Sequence, residues 1–432
     1  MEFIKITVGG FRNLKNIELK FDNILAFVAL NSYGKSNLLN AVDFGIDFIK
    51  NDQKVKKEMM SWRKGIPLNK KMAYDDFIFE VEMQTEVENK KYIVIYGYKF
   101  RWLRDDGTGA RILEEWLKVK LDEKNQKFNN YITRSESKAY YRTSESGRCN
   151  NNINVESNEL IINKLKAYDF IYYSEIVKGI NNLNMYIERR FDVSSLYTRA
   201  PIIRTDIEVL NIGGSQNIPR IIFHLKKEFP ERYELLKNSF MLLFPNITDI
   251  SVDEVEIKSG FEFNIPDKVP LKLDNRFYSL HVIDKNINQP INFESISDGA
   301  KRVFLVLTTL LLADINAYSL IAIEEPENSI HPSLLQKYLR VVSQFINKCK
   351  VIITSHSPYI IQYLDPNNVY IGLPNIHGTA EFFRIRQSAK KSIISDAGSL
   401  SMTTGDYIFE LLSGTHDDIA SIQQYLEGNK HE

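Results

Sequence analysis

The sequence predicts an α/β fold with an antiparallel β layer and a helical insertion, and three observations predict it. An apolar run, Asn23 to Val28, leads through a short loop into a helically spaced stretch that begins at Lys35. Three β-rich segments, Phe77–Met83, Tyr92–Phe100 and Ile112–Leu121, follow one another, with Arg104–Gly109 as a hairpin loop between the last two. The last stretch of about 140 residues alternates helix and strand, as a parallel sheet with crossover helices requires.

Taken in order, Phe3 to Val8 alternates and reads as a strand, Gly9 to Asn13 as a turn, and Ile17 to Phe21 as a second strand. Leu38, Leu39, Val42, Ile46 and Ile49 give the helix after Lys35 its apolar stripe. Residues 51–72 are polar and basic. Residues 133–158 are rich in Ser, Glu, Asn and Arg and read as a mobile loop or insertion. Residues 159–248 read as mainly helical, with helices at Pro219–Lys227 and Glu231–Phe244, the second bracketed by Pro230 and Pro245. Residues 249–294 return to short strands. Beyond them lie a helix at Ala300–Asp314, a strand at Leu320–Ile323 and a helix at Pro332–Ile346. A strand at Lys350–Thr354, a short helix at Pro358–Leu364 and a strand at Val369–Ile371 complete the alternation. Three regions result: 1–132, a first lobe of the core; 133–294, a mixed, mainly helical insertion; and 295–432, a second lobe.

The 432 residues are 44% hydrophobic and 25% charged, which excludes wholesale disorder. Lys and Arg number 55 and so do Asp and Glu, so a polybasic protein is excluded, though a local basic groove is not. The two cysteines, Cys149 and Cys349, lie in unlike contexts and give neither a disulfide framework nor a zinc cluster. Met1 to Ile6 carries no signal-peptide pattern, and the longest apolar run, Val303 to Ala313, is far short of the roughly 20 residues a membrane span needs. A cytoplasmic protein without a membrane partner is expected.

Four motifs carry chemistry. Ala29-Leu30-Asn31-Ser32-Tyr33-Gly34-Lys35-Ser36 sits between strand and helix, where a Walker A loop sits. There, backbone N–H groups and a helix N-terminus face phosphates, Lys35 supplies a charge and Ser36 reaches Mg²⁺. Ala29 stands in place of the first glycine; at positive φ it would cost roughly 1–2 kcal/mol, and in ordinary β conformation nothing. Second, Leu320 to Ile323 runs into Glu324-Glu325-Pro326-Glu327. That is either a Walker B strand end or a solvated acidic turn; in the first case one acid orients water on Mg²⁺ and the next polarises the attacking water. Third, His356 follows the strand Lys350–Thr354 and so belongs at the same kind of sheet edge. Fourth, Ser297-Asp298-Gly299 opens an apolar helix, with Ser297 either a plain N-cap or part of an anion site.

Together and in this order, with Gly10-Phe11-Arg12-Asn13-Leu14 near the start and His331-Pro332 after the acids, these motifs resemble the ABC-type P-loop ATPase head of the SMC, RecF and OLD families. Among these, the likeness is greatest to the OLD-like AAA-family ATPases of bacterial anti-phage defence. It covers residues 1–50 and 290–372 well and the middle loosely. The resemblance implies a cofactor-binding set of Asn31, Gly34, Lys35, Ser36 and Asn37, with Lys35 on the β- and γ-phosphates of ATP and Ser36 on Mg²⁺. It implies Glu324 in the Walker B place, where many relatives have Asp, Glu325 as general base and His356 as γ-phosphate sensor. Ser297 and Gly299 would then contact the γ-phosphate of an opposite subunit in an ATP-sandwich homodimer or larger oligomer, and Asn328 to His331 would form the D-loop. Gln84 is the candidate for the Q-loop glutamine.

The stretch after Ile371 is only about 60 residues and holds no D-x-D, so a TOPRIM nuclease is not expected in this chain, and the seven histidines form no metal-nuclease pattern. The expected function is a slow ATPase that serves as sensor or scaffold in an anti-phage, toxin-effector system, its effector a separate protein encoded nearby. The alternatives are a RecF-like DNA repair ATPase and a nucleotide-locked scaffold. For the first, nucleic acid would be a partner, with residues 54–71 and Arg189-Arg190 as phosphate contacts or, otherwise, solvated surface. The tail, Gly405 to Glu432, carries an amphipathic stretch from Tyr407 to Leu426 that either packs on the chain's own core or its own dimer, or docks another protein.

Overall fold

The computed structural model describes residues 1–67, 69–168, 170–190, 192–198, 202–212, 217–256, 269–328, 330–373 and 377–427. The chain divides into two units, one of Met1–Ile187 with Lys350–Glu432 and one of Glu188–Cys349. The regions read from sequence follow the motifs instead, with divisions after residues 132 and 294.

The first unit opens with β1 (Glu2–Phe11), β2 (Leu14–Lys20), β3 (Ile24–Val28), α1 (Lys35–Lys50) and α2 (Gln53–Met59). Then come β4 (Phe77–Val87), β5 (Lys90–Arg101), β6 (Arg111–Leu121), β7 (Asn129–Ser135), β8 (Lys138–Tyr141) and β9 (Asn151–Asn152). The helices α3 (Ile161–Leu165) and α4 (Ser174–Asn181) precede β10 (Met185–Glu188). The second unit holds β11 (Ile202–Arg204), α5 (Ile218–Glu228), α6 (Pro230–Leu243), β12 (Ile247–Glu256), β13 (Leu271–Leu273), β14 (Arg276–Asp284) and β15 (Ile291–Asn292). It ends with α7 (Asp298–Ile315), β16 (Leu320–Glu324) and α8 (Pro332–Gln344). The chain returns to the first unit with β17 (Lys350–Ser355), α9 (Pro358–Tyr363), β18 (Val369–Leu373), β19 (Glu381–Arg384), α10 (Lys390–Ser399), α11 (Thr404–Ser413) and α12 (His416–Gln423). The α/β fold class with an antiparallel layer is the one observed.

Two sheets build the first unit. One is antiparallel, in the order β2-β1-β4-β5-β6-β7-β8-β9. In the other, β3 lies parallel to β17 on one side and to β18 on the other, and β19 closes the β18 side antiparallel. The buried strands β3, β17 and β18 are apolar throughout their centres, as a sheet covered on both faces demands. An aromatic cluster seats α1 on the antiparallel sheet: Phe44 and Phe48 pack against Phe77, Phe100 and Tyr98 at ring distances of 4.9–6.2 Å. The Tyr98 hydroxyl donates to the Gly45 carbonyl at 2.7 Å, so a sheet tyrosine pins the middle of α1 as well as packing on it.

Several expectations are corrected here. β1 runs on to Phe11, so the expected turn shrinks to Arg12 and Asn13. Residues 133–158 are not one loop: the end of β7 and the short β8 and β9 extend the antiparallel sheet, with turns and loop between and after them. The region 133–294 is as much strand as helix among its described residues; part of it, 257–268, lies outside them. The tail residues Tyr407, Ile408, Leu412, Ile422, Tyr425 and Leu426 are buried within the first unit, which is the packing reading of the amphipathic stretch; residues 428–432 lie outside the described set.

In the second unit β12, β14 and β15 form an antiparallel sheet and β11 pairs with β13. α7 is buried from Ala300 to Ala313, which is why its sequence lacks a polar face. Among the described residues no helix is long and apolar enough to cross a membrane. Neither Cys149 nor Cys349 is in a disulfide.

Candidate functional site

The first unit positions the loop of residues 29–36. The register pairs Ser355 of β17 with Val28 of β3, so both strands stop level and release Ala29 and His356 side by side. The loop turns through Ser32 (φ 66°) and Gly34 (φ 92°), so the left-handed positions are these two and not Ala29. The strain considered for Ala29 does not arise. Gly34 is required at its position because it is the N-cap of α1 in left-handed conformation. It brings no side-chain cap, which leaves the first amides of α1 for an anion.

Lys35 is buried and its ammonium is turned into the loop. Nζ donates to the carbonyls of Ala29 (2.7 Å) and Leu30 (3.2 Å) and lies 3.1 Å from Nδ1 of His356. His356 Nδ1 is also 3.1 Å from the Ala29 carbonyl. Lys35 and His356, 321 residues apart in sequence, therefore share one carbonyl. Asn31 and Ser36 are exposed on the loop and first helical turn.

Asn37 faces elsewhere. Its Oδ1 accepts from Arg12 Nη1 at 2.5 Å, and its Nδ2 donates to Asn13 Oδ1 at 2.7 Å. Arg12 Nε in turn donates to the Lys64 carbonyl at 2.6 Å. Asn37 thus ties α1 to the β1–β2 turn, and Arg12 and Asn13 are the partners the sequence quoted only as part of a likeness. Gln84 lies in β4 with its amide on Asp122 at 2.5 Å, so it is held within the antiparallel sheet.

The second unit carries the acids. β16 is buried from Leu320 to Ile323 and emerges at Glu324. Glu324 Oε1 lies 3.1 Å from Arg189 Nε as an ion pair, and it is a buried oxygen without an aligned hydrogen-bond donor. Burial pushes the Glu324 carboxyl above the usual range, and Arg189 pulls it back. Glu325 has φ 49°, left-handed for a side-chain-bearing residue that also precedes a proline, a conformation that costs of order 1–3 kcal/mol and that collects at functional sites. A turn holds it: Asn328 N donates to the Glu325 carbonyl at 3.1 Å, and Asn328 Nδ2 to Glu325 Oε2 at 2.7 Å. His331 caps α8, its Nδ1 accepting from Ser333 N at 3.3 Å. Of the expected D-loop, Ser329 lies outside the described residues.

Ser297 is the N-cap of α7, its hydroxyl accepting from Ala300 N at 3.3 Å. Gly299 lies in the first helical turn. Asp298 between them takes Lys301 Nζ at 3.1 Å and the Ser194 hydroxyl at 3.0 Å, which hold its carboxyl below the usual range. Arg189 and Arg190, read as phosphate contacts or surface, are both in ion pairs, Arg190 with the buried Glu188 at 2.7 Å. Neither pairing had a signal in the sequence.

Among the described residues no group of three or more His, Cys, Asp or Glu side chains is placed to hold a metal. Mg²⁺ binds through one or two protein oxygens and the phosphates of its substrate and not in a protein cage. In the second unit Glu324 has a buried oxygen lacking a hydrogen-bond donor, and in the first Ser36 is exposed; both carry oxygen donors of the kind Mg²⁺ takes.

Residues 214–362 match a family model described as "AAA domain, putative AbiEii toxin, Type IV TA system". No curated protein matches the sequence. The fold is similar to an SMC head bound to the C-winged helix domain of ScpA (12% identity, 90% of this chain and 100% of that one, TM-score 0.48). It is similar to the SMC head domain from Thermotoga maritima (11% identity, 89% and 100%, TM-score 0.42). It is also similar to an SMC head with an extended coiled coil bound to the C-terminal domain of ScpA derived from Pyrococcus furiosus (10% identity, 92% and 99%, TM-score 0.46).

Proposed function

We propose that the chain is an ABC-type ATPase that binds ATP with Mg²⁺, hydrolyses it slowly between paired subunits, and serves as the sensor or scaffold of an anti-phage defence system. The observation that carries the ATPase reading is the Lys35–Ala29–His356 cluster at the mouth of a strand–loop–helix. A buried ammonium that donates to two carbonyls beside an imidazole is pre-positioned to exchange them for phosphate oxygens, a stronger, charge-assisted partner.

In this mechanism the amides of α1 and Lys35 hold the β- and γ-phosphates, and Asn31, Gly34 and Ser36 line the loop around them. Mg²⁺, held through Ser36 and Glu324, would neutralise charge on the phosphate oxygens. Glu325 takes a proton from the attacking water as its oxygen bonds to the γ-phosphorus. The bond from that phosphorus to the β–γ bridging oxygen breaks, and ADP and phosphate leave. His356 donates to a γ-phosphate oxygen. Ser297 and Gly299 reach the γ-phosphate bound by the opposite subunit.

The defence role is supported by the toxin–antitoxin description of the family matched by residues 214–362. The toxic activity belongs, in this proposal, to a separate effector protein. The nucleotide-locked alternative is motivated by Ala29 in place of the first glycine, a position that carries no left-handed strain here.

Calorimetry with ATP and Mg²⁺ tests the reading. Lys35→Ala should weaken binding about ten- to hundredfold, the worth of a charge-assisted hydrogen bond. Glu325→Gln should bind ATP with wild-type affinity and fail to turn it over. Unchanged affinity in the first variant, or unchanged turnover in the second, overturns the assignment.

A further inference from the structure

Within the first unit, the chain beyond β19 builds an open cavity of about 650 Å³, none of whose lining residues belongs to the four motifs. Residues 384–386 and 425–427 run antiparallel along one side of it. Ile385 bridges Leu426, Arg386 N donates to the Tyr425 carbonyl, and Glu427 N donates to the Arg384 carbonyl, both bonds at 2.8 Å. α10 forms the other side. It buries Ile393 and Ala397, and Ser388, Lys391, Ser392, Ser395 and Asp396 line the cavity at the spacing of one helix face.

The lining is polar and largely unmatched. Ser388, Lys391, Ser392 and Ser395 are exposed, and their side chains make no hydrogen bond or ion pair with any described residue. Serines within a helix commonly bond back to the carbonyl four residues earlier; Ser392 and Ser395 do not. The Arg386 guanidinium uses Nη2 on the Gln424 carbonyl and makes no ion pair. Tyr425 is 3% exposed, and its hydroxyl donates to Asp396 Oδ2 at 2.6 Å. That bond fixes the carboxylate and leaves Oδ1 to accept from elsewhere.

The charges are separated along α10. Arg386 and Lys391 stand at its start, and Asp396 lies five residues past Lys391, about 7.5 Å along the axis. A matching ligand carries an oxyanion at one end, a hydrogen-bond donor at the other, and hydroxyls between them for the serines. The one aromatic among the lining residues, Tyr425, is buried, so a nucleobase would find no open ring to stack on. The volume falls within the range of roughly 300–1,000 Å³ usual for small-molecule sites. We propose that this cavity binds a soluble sugar phosphate, with the phosphate on Arg386 and Lys391, sugar hydroxyls on Ser392 and Ser395, and a far hydroxyl donating to Asp396.

Calorimetry on the full chain tests it with ribose 5-phosphate and glucose 6-phosphate, and with inorganic phosphate and ribose as the separate halves. At least one of the sugar phosphates should bind about tenfold more tightly than either half. Lys391→Ala removes an exposed side chain without a protein partner; it should weaken that binding about tenfold and leave the unfolding temperature unchanged. Asp396→Asn still accepts from Tyr425 and loses the charge, so it should weaken the sugar phosphate about fivefold without weakening inorganic phosphate. Lys35→Ala should leave sugar-phosphate binding as it is. Inorganic phosphate that binds as tightly as both sugar phosphates, or no sugar phosphate bound at millimolar concentration, overturns the proposal. So does unchanged affinity in Lys391→Ala, an equal loss for ester and inorganic phosphate in Asp396→Asn, or a loss in Lys35→Ala, which would place the ligand at residues 29–36.

Discussion

Ala29 shows how far one residue can be judged from sequence. In the loop pattern it replaces a glycine, and the pattern alone raises a question of strain. In the structure Ala29 has an ordinary backbone, and what its methyl needs is room. Gly372 of β18 provides it: a Cβ there would lie 2.6 Å from the Ala29 Cβ and 2.9 Å from Phe382 Cε1. The two positions are 343 residues apart, so no local pattern links them. They form a pair, one methyl in the space of one missing side chain. Gly372→Ala should therefore cost about 1–3 kcal/mol by overpacking. Ala29→Gly in the same chain should recover part of that loss, with a coupling of at least about 0.5 kcal/mol. Urea unfolding of the four proteins measures it, and strictly additive effects would remove the pair.

At the scale of elements, what was legible is what is buried and periodic. β3, α1, β16, α8 and β17 were read within a few residues because apolar runs and a regular stripe mark them, and with them came Lys35, Glu324, Glu325 and His356. β8 and β9 were not, because of their six residues only Ala139 is buried, and a strand exposed on both faces leaves no alternation to read. α10 buries only Ile393 and Ala397 and was missed for the same reason. The converse error is Lys56, one lysine in a basic stretch that sequence treats as uniform. Its side chain lies under the end of α1, donating to the carbonyls of Ile49 (3.4 Å) and Asn51 and to Asn163 Oδ1 (2.8 Å), and the residue is 1% exposed. Burial lowers its pKa to about 8 from 10.5, with Glu115 and Asp52 opposing the shift. Between those values the unfolded chain holds a proton that the folded chain lacks, so stability rises with pH across the window. Relative to Lys56→Met, the wild type should gain about 2–3 kcal/mol between pH 8 and 10.5. Denaturation at pH 7.5, 9 and 10.5 checks it; a constant difference between the two proteins would mean that Lys56 titrates outside this range.

For the whole molecule, each unit carries half of the proposed chemistry: Lys35 and His356 lie in the first, and Glu324, Glu325 and Ser297 in the second. The proposal that two subunits share each nucleotide turns on Ser297, and its hydroxyl already has a structural task as the cap of α7. The two roles separate by magnitude. Loss of a cap costs about 1 kcal/mol of stability and leaves turnover nearly intact. Loss of a γ-phosphate contact made only from the opposite subunit lowers turnover with little change in stability. Ser297→Ala should show the second pattern as well as the first, and the decisive comparison mixes it with Lys35→Ala. Each variant alone spoils both sites of a symmetric dimer. A mixed dimer places both defects in one site and leaves the other whole. With free exchange at equal amounts, half of the dimers are mixed and each has one working site, so ATPase activity should recover to about a quarter of wild type. Light scattering with Glu325→Gln and ATP should show the corresponding shift to a dimer or larger assembly. Activity that stays at the level of the separate variants, under conditions where labelled subunits are seen to exchange, would confine the chemistry to one chain and leave Ser297 as a helix cap.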